Sequence, residues 1–187
     1  SYFLAAAAIL PGSRCRIEGL GRNSIQGDVK VADLLERMGA DVAVEADTIT
    51  VVGREGLEGI DIDLNDMPDM AMTLAAVALF AEGPTAIRNI GNLRVKETDR
   101  LAALSVELAR LGAPVTVDGD DLLIEGGAAR RLRPADVITY DDHRMAMSFA
   151  VIGLRHGGVR LHDPGCVGKT FPDFFEYLER LRQSPSP

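Results

Sequence analysis

The stretch Met72-Thr73-Leu74-Ala75-Ala76-Val77-Ala78-Leu79-Phe80 carries no charge and is followed by Gly83. Two similar stretches lie at residues 2–10, followed by Gly12, and at residues 147–154, followed by Gly157. A helix that is apolar on all its faces is typical of a protein interior, and a glycine after the last apolar residue is a common end signal. The sequence therefore predicts three repeats of about seventy residues, each built around a buried helix.

The segments between these stretches follow one order: a short strand, a loop with glycine, a second helix and a hairpin. The predicted strands are residues 14–17, 85–90 and 158–162, and the predicted second helices are residues 31–38, 97–111 and 172–181. Predicted hairpins pair residues 41–44 with 48–52 and 114–117 with 122–125, and strands 60–64 and 137–140 lead into the next repeat. We expect one α/β (α+β) domain, residues 1–187, with buried helices, outer sheets and units at about 1–58, 59–133 and 134–187.

The composition is that of a folded, acidic protein. Of the 187 residues, 47% are hydrophobic, and the formal net charge of -8 argues against a nucleic-acid surface or an anionic-membrane surface. Cys15 and Cys166 are too few for a disulfide framework, so we expect a reducing, cytoplasmic location. The longest apolar run is too short to cross a bilayer. The chain starts without Met, inside an apolar helix, which predicts a piece of a longer chain, and residues 184–187 resemble a frayed end.

The most charged segment is Asn92-Leu93-Arg94-Val95-Lys96-Glu97-Thr98-Asp99-Arg100. Leucines follow at helical spacing, and Gly112 ends the pattern. The spacing predicts that these charges occupy the first turn of a helix over 97–111, with Lys96 and Arg100 as i, i+4 neighbours. A charge run alone is more typical of a solvated, salt-bridged turn, although a helix N-terminus also attracts anions.

Polar residues also precede two of the apolar helices. Asp66-Met67-Pro68-Asp69 comes before Met70-Ala71-Met72-Thr73, and Asp141-Asp142-His143-Arg144 comes before Met145-Ala146-Met147-Ser148. Asp66, Asp69 and Asp142 are candidate helix caps, and His143 is a candidate surface imidazole. Arg144 points to an anionic partner, because the helix dipole disfavours a cation at an N-terminus. Lys169 precedes a further helix, and a P-loop there is disfavoured because its first glycine would fall at Asp163.

Taken together, these residues form one pattern. Arg100, Arg144 and Lys169 are cations at helix starts in successive parts of the chain, where similar ends can converge on one surface. Asp69 and Glu97 are carboxylates in the same setting. Arginine matches phosphate and carboxylate oxygens in bidentate geometry, and paired carboxylates can serve as general base and general acid. The pattern predicts a site for proton transfer on a small phosphorylated carboxylic acid.

Three motifs resemble the 5-enolpyruvylshikimate-3-phosphate (EPSP) synthase family: residues 92–100, residues 142–147 and Lys169-Thr170-Phe171-Pro172-Asp173-Phe174-Phe175. Residues 68–73 and 1–7 are also similar, so the resemblance covers the whole chain and matches the C-terminal part of the family. It implies an enolpyruvyl-transferase-type domain of βαβαββ units in a two-domain, monomeric enzyme. That enzyme transfers the enolpyruvyl group of phosphoenolpyruvate to the 5-hydroxyl of shikimate 3-phosphate, releases phosphate, and needs no metal or organic cofactor. The product leads to chorismate and the aromatic amino acids.

The resemblance also implies roles for individual residues. Asp69 resembles the acceptor of the 5-hydroxyl proton and a shikimate-3-phosphate ligand, and Glu97 resembles the acid that protonates the methylene carbon of phosphoenolpyruvate. Asn92 and Lys96 resemble further shikimate-3-phosphate ligands. The residues that resemble phosphoenolpyruvate ligands, for which the herbicide glyphosate would compete, are Arg100, Arg144 and Lys169. His143 is expected to line the same cleft.

The resemblance further implies an N-terminal domain that contributes the opposite wall of the site, so we expect the isolated chain to be a half-site with little or no turnover. UDP-N-acetylglucosamine enolpyruvyl transferase shares the fold and carbon chemistry, but the motif at residues 96–100 favours the EPSP synthase family. An enzyme resembling RNA 3'-phosphate cyclase is disfavoured by the acidic composition and the 5% of aromatic residues. A non-catalytic folding or complementation domain stays open as an alternative.

Overall fold

The computed structural model describes residues 1–183, so the predicted frayed end at residues 184–187 lies outside the described residues. The helices in this range are α1 (Tyr2–Ile9), α2 (Val31–Arg37), α3 (Ala71–Ala78), α4 (Arg100–Arg110), α5 (His143–His156) and α6 (Phe174–Gln183). The strands are β1 (Arg14–Glu18), β2 (Asp41–Val44), β3 (Thr48–Val52), β4 (Asp61–Asp63), β5 (Thr85–Arg88), β6 (Val115–Asp118), β7 (Asp121–Ile124), β8 (Ala135–Ile138) and β9 (Val159–His162). Short 3-10 turns at Pro68–Met70, Gly91–Val95 and Pro164–Lys169 lie close to helix starts.

Each repeat contributes one small sheet. The sheet of the second repeat has the order β4-β5-β7-β6, with β4 parallel to β5 and the other pairs antiparallel. The first repeat forms the antiparallel sheet β1-β3-β2, and the third pairs β8 with β9 in parallel. The sheet β1-β3-β2 corresponds to strands β5-β7-β6 of the second repeat, and the parallel pair β8-β9 corresponds to β4-β5. The predicted order of strand, helix, strand, helix and hairpin is therefore complete in the second repeat.

The core of the domain is the packing of α1, α3 and α5 on one another. Every residue of α3 is buried, and so are Leu4 to Ile9 of α1. Both helices are rich in alanine, which lets their backbones approach closely while apolar surface is removed from water. The prediction of three apolar helices inside is confirmed. None of the helices within residues 1–183 is long and apolar enough to pass through a membrane.

The second helix of the middle repeat, α4, begins later than predicted. The helix starts at Arg100 because Asp99 is its N-cap, with Asp99 Oδ1 accepting a hydrogen bond from the Ala102 N–H at 3.0 Å. The predicted start at residue 97 is therefore wrong, and Lys96 and Glu97 lie in the turn that precedes the helix. Gly112 follows the helix with φ of +88°, as its predicted capping role requires.

Candidate functional site

Arg100, the first residue of α4, is a buried arginine with 1% of its surface exposed. Its Nε and Nη2 lie 2.6 and 3.3 Å from the two carboxylate oxygens of Asp142. Its Nη1 lies 3.0 Å from Asp69 Oδ1, and Nη2 lies 2.7 Å from Glu97 Oε2. Arg100 therefore pairs with three carboxylates and joins α4 to the starts of α3 and α5. The interpretation of this segment as a solvated surface turn is wrong for Arg100.

Asp142 is the fully buried partner of Arg100, with 0% of its surface exposed. It is the N-cap of α5, and its Oδ1 accepts hydrogen bonds from the backbone N–H groups of Arg144 and Met145 at 2.8 and 3.3 Å. A buried carboxylate is costly unless it is paired and hydrogen-bonded. The Arg100 fork and the two N–H groups satisfy that need, so Asp142 fixes both Arg100 and the first turn of α5.

Asp69 lies between three cations and remains partly open to solvent, with 28% of its side chain exposed. Its Oδ1 lies 3.0 Å from Arg100 Nη1 and 3.7 Å from Lys96 Nζ, and its Oδ2 lies 3.2 Å from Arg144 Nη2. Asp69 follows Pro68 in a short 3-10 turn before α3, and no side-chain cap is formed at that turn. The interpretation of Asp69 as a helix cap is therefore wrong, and its carboxylate is available to a bound molecule.

Glu97 links Arg100 to Lys169, which lies 72 positions after Glu97 in the sequence. Its Oε1 lies 3.3 Å from Lys169 Nζ. Burial raises the pKa of Glu97, but its own backbone hydrogen bond and the charges of Arg100 and Lys169 outweigh burial, so the pKa lies below its usual range. Glu97 is therefore ionised while it holds these two cations.

An aromatic cluster holds the segment that carries Lys169 against the core. Tyr2 and Phe3 of α1 contact Phe174 of α6, with ring centroids 5.8 and 5.6 Å apart. Phe3 also contacts Phe171 at 5.9 Å in an edge-to-face arrangement. The 3-10 turn that ends at Lys169 packs on α5. The position of Lys169 is thus fixed by elements from the first and the third repeats.

Two further polar groups, the His143 side chain and the Tyr2 hydroxyl, are buried at the margin of the cluster. His143 is buried, and its Nδ1 has no hydrogen-bond partner among the described residues. Burial lowers the pKa of His143, an effect that the nearby Asp142 charge opposes. Burial also raises the pKa of Tyr2 to about 12, although Arg144 lies beside the hydroxyl and acts in the opposite direction. His143 is therefore a neutral, buried imidazole near neutral pH, and its interpretation as a surface residue is wrong.

Asn92 lies apart from the ion pairs. The 3-10 turn that carries Asn92 packs against the turn that carries Asp69. Asn92 itself is exposed and lines an open depression of about 340 Å³ together with Asp63, Asn65, Asn89, Gly91 and Asp120. Within residues 1–183, no hydrogen bond joins Asn92 to the cluster. Its predicted role as a ligand therefore rests on its position beside the Asp69 turn.

The structure brings six predicted site residues into one network: Asp69, Lys96, Glu97, Arg100, Arg144 and Lys169. Sequence reasoning treated Asp142 only as a cap and missed its pairing with Arg100. The cap itself was visible in the sequence, but a contact between residues 42 positions apart leaves no local pattern. Tyr2 was missed for the same reason.

The network holds four cations against three carboxylates, so it carries an excess of positive charge. Arg100 and Asp142 are its fully buried members, whereas between 22% and 58% of each of the other five side chains is exposed. Such an arrangement suits a small anion with more than one charged group. In the described part of the chain, no group of three His, Cys, Asp or Glu side chains is arranged to hold a metal ion.

A family model of EPSP synthase (3-phosphoshikimate 1-carboxyvinyltransferase) matches residues 1–178. The chain belongs to the EPSP synthase family. Curated relatives named 3-phosphoshikimate 1-carboxyvinyltransferase include those of Vibrio atlanticus, 53% identical over 97% of this chain, and Serratia proteamaculans, 54% identical over 98%. The chain spans 42% of the length of each.

Solved structures show the same family relationship. An EPSP synthase from Acinetobacter baumannii is 31% identical, with a TM-score of 0.86 over 96% of this chain and 44% of that one. The enolpyruvyl transferase NikO from Streptomyces tendae is 25% identical, with a TM-score of 0.71 over 96% of this chain and 41% of that one. This chain therefore has the α/β fold of the matching part of these two enzymes.

Proposed function

We propose that this chain supplies part of the active site of an EPSP synthase, an enzyme that transfers the enolpyruvyl group of phosphoenolpyruvate to the 5-hydroxyl of shikimate 3-phosphate and releases phosphate. The observation that carries the proposal is the buried Arg100, which holds Asp69 and Glu97 on either side of one guanidinium at 3.0 and 2.7 Å. Family membership supplies the substrates, and this geometry supplies a base and an acid close to cations.

The cations divide between the two substrates in this proposal. Arg100, Arg144 and Lys169 bind the phosphate and carboxylate of phosphoenolpyruvate, because two arginine forks and an ammonium match two anionic groups. Lys96, with Asn92 and Asp69, binds shikimate 3-phosphate. His143 lines the cleft between the groups as a neutral imidazole. Both substrates are thus recognised mainly by charge, without a cofactor.

The two carboxylates have opposite roles in the addition step. Asp69 accepts the proton of the 5-hydroxyl as that oxygen bonds to the central carbon of phosphoenolpyruvate, and Glu97 donates a proton to the methylene carbon. Phosphate then leaves the tetrahedral intermediate by C–O cleavage, while the new methyl group returns a proton to Glu97 and so restores the enolpyruvyl double bond. The leaving phosphate takes up the proton held by Asp69. In the ligand-free chain, the pKa of Glu97 is low although burial raises it, because its own backbone hydrogen bond, Arg100 and Lys169 act in the opposite direction. A bound phosphate competes with Glu97 for these cations, which raises the pKa of Glu97 and lets it carry the proton that it donates.

We further propose that the region of the relatives beyond the matched 42% contributes the opposite wall of the cleft. Lys96, Asp69 and Lys169 are partly exposed, which fits a surface that another part of the enzyme covers. The isolated 187 residues then act as a half-site with little or no turnover. Cys15 and Cys166 are free, in keeping with the proposed cytoplasmic location.

A chimera tests this function. This chain replaces the matching 42% of the Serratia proteamaculans relative, with which it is 54% identical. We expect the chimera to release phosphate from phosphoenolpyruvate when shikimate 3-phosphate is present, and glyphosate to inhibit it. The isolated chain should release none. Activity with UDP-N-acetylglucosamine in place of shikimate 3-phosphate, or full turnover by the isolated chain, would contradict the proposal.

Single substitutions in the chimera then test the two carboxylates. We expect Asp69→Asn and Glu97→Gln each to lower kcat by about 10²- to 10⁴-fold, the usual contribution of general acid–base catalysis. Asp66→Asn is the matched control, since Asp66 is an exposed aspartate three positions before Asp69. A kcat for Asp69→Asn equal to that of the control would remove Asp69 from the reaction.

A further inference from the structure

Glu107 is a buried carboxylate that the proposed chemistry does not use. It lies on α4 with 0% of its surface exposed. Its Oε1 accepts a hydrogen bond from the Tyr140 hydroxyl at 2.9 Å, and its Oε2 accepts one from the Ile138 N–H at 3.1 Å. Arg110, three positions along the helix, supplies the positive charge at 2.9 Å. Glu107 therefore fastens α4 to the end of β8 and to the residues just beyond it.

The residues beyond β8 adopt an unusual backbone. Tyr140 and Asp141 have φ angles of 56° and 54°, which is the left-handed region that non-glycine residues seldom occupy. Two such residues in succession persist only where the surroundings hold them. The next residue is Asp142, whose N–H donates to the Thr139 carbonyl at 3.0 Å and whose side chain binds Arg100. The hydrogen bond that Tyr140 donates to Glu107 thus holds the turn that places Asp142 beside Arg100.

Glu107 and Arg100 occupy the same face of α4. They are seven positions apart, which is two helical turns, so both side chains face the segment that runs from β8 into α5. Arg100 contacts that segment at Asp142, and Glu107 contacts it at Ile138 and Tyr140. The segment is therefore held against α4 at both ends.

The first repeat shows that the fold itself does not need a carboxylate at this position. When the Gly39-Ala40 and Gly112-Ala113 pairs that follow α2 and α4 are superposed, Glu107 falls on Leu34. Leu34 is 3% exposed and packs in the core. An apolar side chain thus fills the same place in α2, and burying a charge in α4 costs more than burying a leucine. The carboxylate is specific to the helix that carries Arg100.

We propose that Glu107 and Tyr140 are positioning residues for the anion site: they hold the turn before α5 so that Asp142 orients Arg100 and the α5 N-terminus orients Arg144. This inference rests on the proposed function only for the identity of the anion, phosphoenolpyruvate. The positioning itself is a statement about Arg100 and Asp142, and it can be measured without turnover.

Two variants of the 187-residue chain test the positioning. Tyr140→Phe removes only the hydroxyl. The double variant Glu107→Leu/Tyr140→Phe places in α4 the side chain that α2 carries at the equivalent position. It should remain folded, because Glu107 and Tyr140 both become apolar and the other two partners of Glu107, Ile138 and Arg110, are exposed to water. Tyr177→Phe is the matched control, since Tyr177 is an exposed tyrosine on α6. The midpoint of urea unfolding is recorded for each variant.

The first readout is the NMR signal of the Arg100 Nε–H and the hydrogen exchange of the Arg144 amide, which donates to Asp142. We expect both variants to shift the Arg100 signal and to speed exchange of the Arg144 amide about tenfold, the scale of one lost hydrogen bond. Tyr177→Phe should change neither. A purely structural role would lower the unfolding midpoint and leave the Arg100 signal in place. An unmoved Arg100 signal in both variants would overturn the inference.

The second readout is titration with phosphoenolpyruvate. We expect the two variants to bind it about three- to tenfold more weakly than the control, since Arg100 and Arg144 are no longer held in place. Equal affinity with a shifted Arg100 signal would leave the positioning intact and would show that phosphoenolpyruvate does not bind at these arginines. If the unsubstituted half-site binds no phosphoenolpyruvate, the titration is repeated in the chimera, and the Arg100 signal still decides the positioning.

Discussion

Helices α3 and α5 begin with nearly the same residues but are built differently at their N-termini. When Met70-Ala71-Met72-Thr73 is superposed on Met145-Ala146-Met147-Ser148, Asp69 falls on Arg144, so equivalent positions carry opposite charges. In the structure these two side chains contact each other at 3.2 Å. The pseudo-symmetry of the repeats therefore brings two equivalent positions together as an ion pair.

The two helix starts differ in what an aspartate does there. Asp142 lies two positions before Arg144, caps α5 and is fully buried. Asp69 directly precedes Met70, caps no helix and keeps 28% of its side chain exposed. An aspartate whose oxygens are used by backbone N–H groups and a buried arginine has little left for a ligand. Asp142 therefore holds the local structure together, and Asp69 is the more accessible carboxylate of the two.

Among these tests, removal of the Asp142 carboxylate should have the largest effect on stability. We expect Asp142→Ala to lower the free energy of unfolding by about 3–5 kcal/mol, because it leaves Arg100 buried with an incomplete set of partners and uncaps α5. Asp69→Ala is the matched control and should cost about 1 kcal/mol or less, since its carboxylate is partly exposed and Arg100 keeps Asp142 and Glu97. Urea unfolding of both variants measures the difference, and equal losses would contradict it.

The C-termini of the two helices allow a smaller test. Helix α5 ends at Gly157 with φ of +57°, whereas α3 ends at Leu79 in the ordinary right-handed region. A Cβ at Gly157 meets no atom within 4 Å, so Gly157→Ala isolates the cost of the left-handed backbone. We expect a loss of about 1 kcal/mol in the free energy of unfolding.

Gly168→Ala is the control for this loss, because its Cβ also meets no atom within 4 Å and its φ is not in the left-handed region. It should change the free energy of unfolding by less than about 0.5 kcal/mol. A Gly157→Ala variant as stable as Gly168→Ala would show that α5 does not need the left-handed cap.

The smallest expected effect concerns the position before Arg144, where α5 has His143 and α3 has Pro68. Burial lowers the pKa of His143. Above a pH of about 6.5 the imidazole is neutral in the folded and the unfolded chain, and its contribution to stability is complete. As the pH falls below that value, the unfolded chain binds the proton first, so stability is lost until the pH passes the lower folded-state pKa.

An NMR titration of the His143 ring and urea unfolding at several pH values check this sign. His143→Gln should lose less stability than the unsubstituted chain between pH values of about 6.5 and 5. A ring pKa at or above about 6.5 would contradict the prediction. In that case the start of α5 would not disfavour a charged His143, contrary to what its burial indicates.

Much of the architecture could be predicted because local sequence patterns determine it. The apolar stretches that became α1, α3 and α5 are similar in length and in their lack of charge, and hairpin strands 41–44 and 48–52 were predicted at their observed bounds. The start of α4 was missed because Asp99 caps the helix after the most charged residues have passed. The charge run therefore predicted the cluster of charged side chains correctly, but it wrongly predicted that Glu97 lies in the helix.

The site was harder to predict wherever burial or long-range pairing decides. Arginine is usually exposed and histidine is intermediate in burial, and Arg100 and His143 are buried because helices from other repeats pack over them. Tyr140 and Asp141 have a left-handed backbone conformation, but neither is a glycine or an asparagine, the residues that most often indicate it in a sequence. Its support, Glu107, is 33 positions away from Tyr140 in sequence. Such features become visible only when the fold is known.

The shared core has a consequence for how the domain folds. In solenoids each repeat touches only its neighbours, so stability adds up unit by unit. Here α1, α3 and α5 come from different repeats and complete one another's packing, and Arg155 donates a hydrogen bond to the Ile9 carbonyl across 146 positions at 2.8 Å. Loops of that length must close before the core forms, which slows folding and makes the transition cooperative. We therefore expect the three repeats to fold as a single cooperative unit.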